Sequence, residues 1–206
     1  VRLPVLLVHG LHDTPGSFKK MRRHLEAAGH TTESVALLPN DGSAPIERLA
    51  ALVREASTEL LARTYAPRLD VVGFSMGALA SRVFIQRLGG AQRVRRFVSI
   101  SGPHAGSWLA RLGWGEGVRD MRPGSPLLRA LEADEASWGE VEVHVLYTPL
   151  DLMILPAKSS LLTRARTTKA VPVVLHPLML GDKRVLHEVA ALLGAPEGAF
   201  DGRDAP

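Results

Sequence analysis

The chain contains no cysteine, which removes disulfides, thiolate catalysis and cysteine-based zinc sites together. Aromatic residues make up only 5% of its 206 residues. None is interleaved with the basic clusters at Lys19 to Arg23, Arg93 to Arg96 and Arg164 to Lys169, so no nucleic-acid partner is expected. With a net charge of +4, those clusters read as solvated faces that favour anionic surroundings at most. No apolar run approaches the roughly 18 residues of a membrane span, and no signal peptide is visible. An integral membrane segment is therefore not expected. The first residue is Val1 rather than methionine, which leaves a soluble protein either cytoplasmic or secreted after loss of an upstream segment. Internal repeats and linkers are absent too.

What is present is an ordinary globular composition, 46% hydrophobic and 22% charged. Apolar runs alternate with amphipathic stretches, the signature of an α/β fold: a mainly parallel sheet of about six strands with helices on both faces. Strands are expected at 3–8, 31–37, 69–73, 96–101, 141–147 and 170–175. Ser17 is the expected N-cap of a helix that buries Phe18, Met21 and Leu25 and stops at Gly29. Further helices are expected over 45–63, 78–88 and 185–193, the first with Ile46, Leu49, Val53, Ala56 and Leu60 along one stripe. Residues 1–194 form one domain on this reading, with 195–206 a frayed, turn-rich tail. Residues 102–139 break the rhythm as an insertion of loops with a helix at 127–133. Ligands in open α/β sheets bind beyond the carboxyl ends of the strands, so this insertion should border the site. It offers Trp108, Leu112 and Trp114 as an apolar wall.

The chemistry concentrates at Gly73-Phe74-Ser75-Met76-Gly77, a G-x-S-x-G string between a strand and a helix. A serine on so sharp a turn lifts its hydroxyl above the sheet edge, and the flanking glycines let strand and helix pack closely. Asp151 lies just past the end of the strand expected at 141–147, and His176 directly at the end of the one expected at 170–175. The order Ser75, Asp151, His176 is nucleophile, acid, base. The chemistry requires such a set, because a serine hydroxyl is a weak nucleophile until an imidazole takes its proton and a carboxylate orients that imidazole. Asp134, Asp182 and Glu188 compete for the acid's place and His187 for the base's, but each fits a helix or solvated loop better. The remaining need is an oxyanion hole, assigned to the backbone N–H groups of Met76 and Leu11. His12, beside that loop, is a candidate substrate contact, whereas His104 reads as a loop brace. No convergent Asp/His spacing suggests a metal, and no cofactor is implied.

Val5-Leu6-Leu7-Val8-His9-Gly10, the Ser75 elbow and Ser101-Gly102-Pro103-His104-Ala105-Gly106-Ser107 together resemble the small bacterial lipases and esterases of the α/β-hydrolase superfamily. The stretch 151–156 is similar to their acid loop and 176–185 to their histidine loop. Those relatives often carry glycine before the histidine, where this chain has Leu175, and Pro177 after it is a further departure. The resemblance implies a minimal, nearly lidless core that hydrolyses carboxylic esters through an acyl-enzyme on Ser75. The substrate would be a small-molecule ester or lipid, with transient contact at a lipid interface. An acyltransferase, a thioesterase or an amidase would use the same three residues. A catalytically idle binding module is the alternative from another class.

Overall fold

The computed structural model describes residues 2–200. The strands are β1 (Val5–Val8), β2 (Thr32–Val35), β3 (Leu69–Phe74), β4 (Val94–Ile100), β5 (Glu142–Tyr147) and β6 (Thr167–Ala170), the central four mostly apolar and buried and the outer two more polar. They pair in the order β2-β1-β3-β4-β5-β6, parallel at every junction. The helices between them are α1 (Lys19–Ala27), α2 (Ile46–Thr64), α3 (Met76–Arg87), α4 (Glu116–Asp120), α5 (Pro126–Ala133) and α6 (Lys183–Gly194).

Alternate strand residues feed two cores. Leu6, Val8 and Val71 face the layer of α2 and α3, while Val5, Leu7, Val72 and Phe74 face α1 and α6. The strand order reverses between β1 and β3, whose following helices lie on opposite faces of the sheet. The two loops therefore part there and leave a crevice at their carboxyl ends, where α/β sheets bind ligands. The chain has an α/β-hydrolase fold.

Several local expectations change. Ser17 does not cap a helix: a 3-10 turn over Pro15–Phe18 comes first, and the Ser17 hydroxyl donates to the Thr14 carbonyl at 2.8 Å. The last strand is Thr167–Ala170, not 170–175. After Val171 donates to the Tyr147 carbonyl at 2.8 Å, Pro172 has no N–H to extend the ladder. The insertion is also more ordered than a loop with one helix. Helix α4 docks on the segment before α2, with the Val118 N–H donating to Gly42 at 3.3 Å and Asp120 accepting from the Ile46 N–H at 2.9 Å.

The amino ends of the strands are closed by ion pairs. Arg96, fully buried, pairs with Glu142 at 2.6 Å and donates to the carbonyls of Leu192, Ala195 and Pro196 at 2.6–3.0 Å. Glu142 also accepts from the Gly198 N–H at 3.0 Å, and the Phe200 ring packs on His144 with centroids 4.9 Å apart. Residues 195–200, expected to fray, are therefore tied across this edge, because Arg96 needs acceptors there. The rest of that tail, 201–206, lies outside the described residues.

Candidate active site

Ser75 joins β3 to α3 with φ 54 and ψ −126, a region that costs a non-glycine residue on the order of 1–3 kcal/mol and persists only where surroundings enforce it. The enforcement is visible. The Ser75 N–H donates to the Ile100 carbonyl at 3.0 Å, and the Ser75 carbonyl accepts from Ala78 at 3.0 Å. A Cβ on Gly77 would lie 2.3 Å from the carbonyl oxygens of Val8 and His9, and one on Gly73 would lie 2.6 Å from the Ala78 Cα. The elbow glycines are therefore demanded by close backbone approach, as the sequence pattern predicts.

The loop after β1 touches the elbow, since a Cβ on Gly10 would sit 3.0 Å from the Ser75 Cβ. Its orientation is set by His9, which is buried. The His9 Nε2 accepts from the Leu37 N–H at 3.0 Å. The ring proton is thereby on Nδ1, which donates to the Gly10 carbonyl at 2.9 Å. A trans peptide directs its N–H opposite to its carbonyl. With the Gly10 carbonyl held by His9 and by the Asp13 N–H at 3.3 Å, the Leu11 N–H is turned away from both. Met76 is the first residue of α3, so its N–H has no acceptor within the helix. The His9-Gly10 segment is legible in the sequence, but the work of His9 is not. Its only signal was a histidine at the strand end, and its partner at Leu37 becomes apparent only in the fold.

Asp151 and His176 are brought together. The His176 Nδ1–H donates to the Asp151 Oδ2 at 2.7 Å, and both residues are buried. The other carboxylate oxygen accepts from the N–H groups of Met153 and Ile154, each at 2.9 Å. Burial works to raise the Asp151 pKa. The His176 hydrogen bond and charge, with the two backbone donors, outweigh it, and the carboxyl is held below its ordinary value. The His176 ring packs against Phe74, with centroids 4.7 Å apart, so the imidazole lies beside the residue that precedes Ser75. Its Nε2 is buried and makes no hydrogen bond among the described residues. Hydrogen bonds of this kind are often long before substrate binds. His176 does not sit directly at a strand end as expected. It opens a 3-10 turn over His176–Gly181, where Pro177 is tolerated because a first-turn N–H needs no partner.

The competing residues lie elsewhere. His187 is exposed on α6 and packs edge-on to His24, with centroids 5.0 Å apart. Glu188 pairs with Lys169, and Asp182 caps α6 and pairs with Arg184 at 2.8 Å. His104 is buried, with its Nε2 2.7 Å from the Ser99 hydroxyl. Burial, reinforced by the nearby Arg82 charge, holds its pKa well below the ordinary value. Among the described residues no group of three or more His, Asp or Glu side chains could hold a metal ion, and no helix is long and apolar enough to cross a membrane.

The candidate substrate contacts surround the same edge. His12 is exposed in a turn with φ 55. The Trp108 N–H donates to the Leu155 carbonyl at 2.9 Å, which joins the insertion to the segment after Asp151. The half-exposed Trp108 ring carries the Arg111 guanidinium 4.1 Å above it. Trp114 is almost fully exposed, in a segment that meets Gly42 and, beyond it, Leu11. Leu152, Met153, Leu175 and Leu178 are also exposed in the loops that follow β5 and β6.

Comparison with known proteins agrees with this architecture. The sequence model described as palmitoyl protein thioesterase matches residues 4–113, from β1 through the elbow and into the insertion. No curated protein sequence matches the chain. A Bacillus licheniformis lipase in mature form superposes with a TM-score of 0.80 at 14% identity, covering 93% of this chain and 92% of that one. Its propeptide form gives 0.80 at 15% identity, covering 95% of this chain, which spans only 51% of that longer protein. An Aspergillus fumigatus lipase B gives 0.81 at 18% identity over 100% of this chain and 57% of that one.

Proposed function

On the premise that this chain belongs to the palmitoyl protein thioesterase family, we propose that it is a serine hydrolase that cleaves carboxylic esters of apolar acyl groups. The observation that carries the reading is the buried Asp151–His176 pair, 2.7 Å apart, beside a serine in the strained elbow conformation. Ser75 Oγ attacks the acyl carbonyl and gives its proton to His176 Nε2, whose Nδ1–H stays on Asp151. The oxygen of the tetrahedral intermediate accepts from the Leu11 and Met76 N–H groups. Collapse expels the alcohol, which takes the proton back from His176. Water activated by the same imidazole then hydrolyses the acyl-serine. Loss of one oxyanion donor would cost roughly 100- to 1000-fold in rate. Exposed Trp108, Trp114, Leu152 and Leu178 around the mouth suit an acyl chain or a lipid surface better than a polar ligand.

The family match favours a second substrate bond, the acyl thioester, which the same residues would cleave with a thiol as leaving group. Matched ester and thioester series of increasing acyl length separate the two, with kcat/KM read for each bond. Ser75→Ala should reduce turnover of both by at least about a thousandfold while circular dichroism stays that of the native protein. Wild-type turnover by folded Ser75→Ala would overturn the reading, as would a rate independent of acyl length for its apolar-substrate part.

A further inference from the structure

The loop that carries Asp151 follows β5 and the loop that carries His176 follows β6, and nothing in the sheet fixes one against the other beyond β6. The Val171 N–H makes the final bond to the Tyr147 carbonyl, and the chain then runs free of the ladder through Pro172 to His176. Across that gap stands Thr148, the first residue after β5, fully buried. Its hydroxyl donates to the Val173 carbonyl at 2.7 Å and accepts from the Val173 N–H at 3.2 Å. The same oxygen accepts from the Leu150 N–H at 3.2 Å, and the Thr148 carbonyl accepts from the Asp151 N–H at 3.2 Å. One hydroxyl thus grips the backbone immediately before Asp151 and the backbone three positions before His176.

The far side of the acid loop is held in the same way. Ser107, at the end of the Ser101–Ser107 motif, is buried. Its hydroxyl donates to the Met153 carbonyl at 2.7 Å and accepts from the Leu155 N–H at 3.1 Å. Met153 and Leu155 flank Ile154, and the N–H groups of Met153 and Ile154 hold the Asp151 Oδ1. Two hydroxyls therefore clamp a turn whose own carboxylate meets the imidazole.

We infer that Thr148 is a positioning residue that holds His176 against Asp151, with Ser107 securing the acid loop from the other side. Its hydroxyl bonds only backbone groups, none of them a proposed reacting atom. It acts by setting the separation of two loops whose side chains must meet within hydrogen-bond distance, and a misplacement near 1 Å at such a site costs on the order of a hundredfold. Valine at 148 keeps the shape and removes the hydroxyl, leaving three backbone partners unmet. Serine keeps the hydroxyl and loses only a methyl group.

The inference rests on the proposed roles of Asp151 and His176, so Asp151→Asn accompanies Thr148→Val, Thr148→Ser and Ser107→Ala. For each variant kcat and KM are measured on one ester, together with the far-downfield proton signal of the His176 Nδ1–H···Asp151 hydrogen bond. Thr148→Val should lose 10- to 100-fold in kcat with KM within about twofold, and its downfield signal should weaken or vanish. Thr148→Ser should restore both. Ser107→Ala should lose kcat in the same sense, and it carries the test if Thr148→Val does not fold. Wild-type kcat and an unchanged signal in folded Thr148→Val, with Asp151→Asn inactive, would overturn the clamp alone. Full activity in Asp151→Asn would instead overturn the assignment of Asp151 on which the clamp depends.

Discussion

A carboxyl group withdrawn from water ordinarily holds its proton more tightly, yet Asp151 does the reverse, because the His176 ring and two backbone N–H groups favour its charged form. Its pKa in the folded protein is below the unfolded value near 3.9. The stability it contributes is complete above that unfolded value and is lost as pH falls through the lower folded one. Asp151→Asn should therefore remove part of the acid sensitivity below about pH 4, followed by circular dichroism. It should also reduce kcat at neutral pH by on the order of a thousand- to ten-thousandfold, since an amide favours the wrong imidazole tautomer. Asp151 was legible in the sequence as a carboxylate after a strand and before an apolar run. His9 was not, because its role depends on Leu37, 28 residues away.

At the scale of elements, the elbow is the most constrained junction in the chain. Gly77→Ala would place a methyl group 2.3 Å from the backbone carbonyl oxygens of Val8 and His9, with no flexible side chain to yield. It should cost at least about 3 kcal/mol or prevent folding, measured by urea unfolding, whereas Gly124→Ala meets nothing within 4 Å and is limited by its φ of 71. Strands β1, β3, β4 and β5 were legible because they are buried along nearly their whole length and apolar residues form most of each, although Asp70, Arg95, Arg96, Glu142 and His144 interrupt them. The edge strand β6 was not. Its residues, Thr167 to Ala170, are polar and half exposed, while the more apolar Val171–Leu175 that follows mimics a strand and is interrupted by Pro172. The insertion's 3-10 turns and α4 escaped for a related reason, being too short for a periodicity to register. The exposed loops do make one optical prediction. Vesicles with an anionic lipid should shift the emission of Trp108 and Trp114, whereas the buried Trp138 should contribute nothing. An unshifted spectrum would argue for monomeric substrates.

Across the whole molecule, buried imidazoles couple the fold to pH. His144, at the sheet's amino edge, is pushed down to about 4 by burial, opposed by the Glu142 charge and aided by those of Arg96 and Arg166. His104 and His30 are lowered as well, burial being the main cause for each. Their folded values lie below the unfolded one near 6.5, so the unfolded chain binds more protons as the solution acidifies. Stability is then complete above about pH 6.5 and falls between there and pH 4. A drop from 6.5 to about 4 at His144 alone corresponds to about 3 kcal/mol. His144→Gln should flatten the decline in thermal midpoint over that interval. That edge of the sheet is built for stability, whereas the opposite edge gathers the elbow, the Leu11 loop and the Asp151–His176 pair. Of the groups at that edge, Ser75 is the proposed nucleophile. A fluorophosphonate probe, followed by peptide mass mapping, tests it most directly. One adduct is expected, on the peptide containing Ser75, absent from Ser75→Ala and strongly slowed in His176→Ala. A folded protein that takes up no probe, or that carries the adduct on another residue, would contradict it.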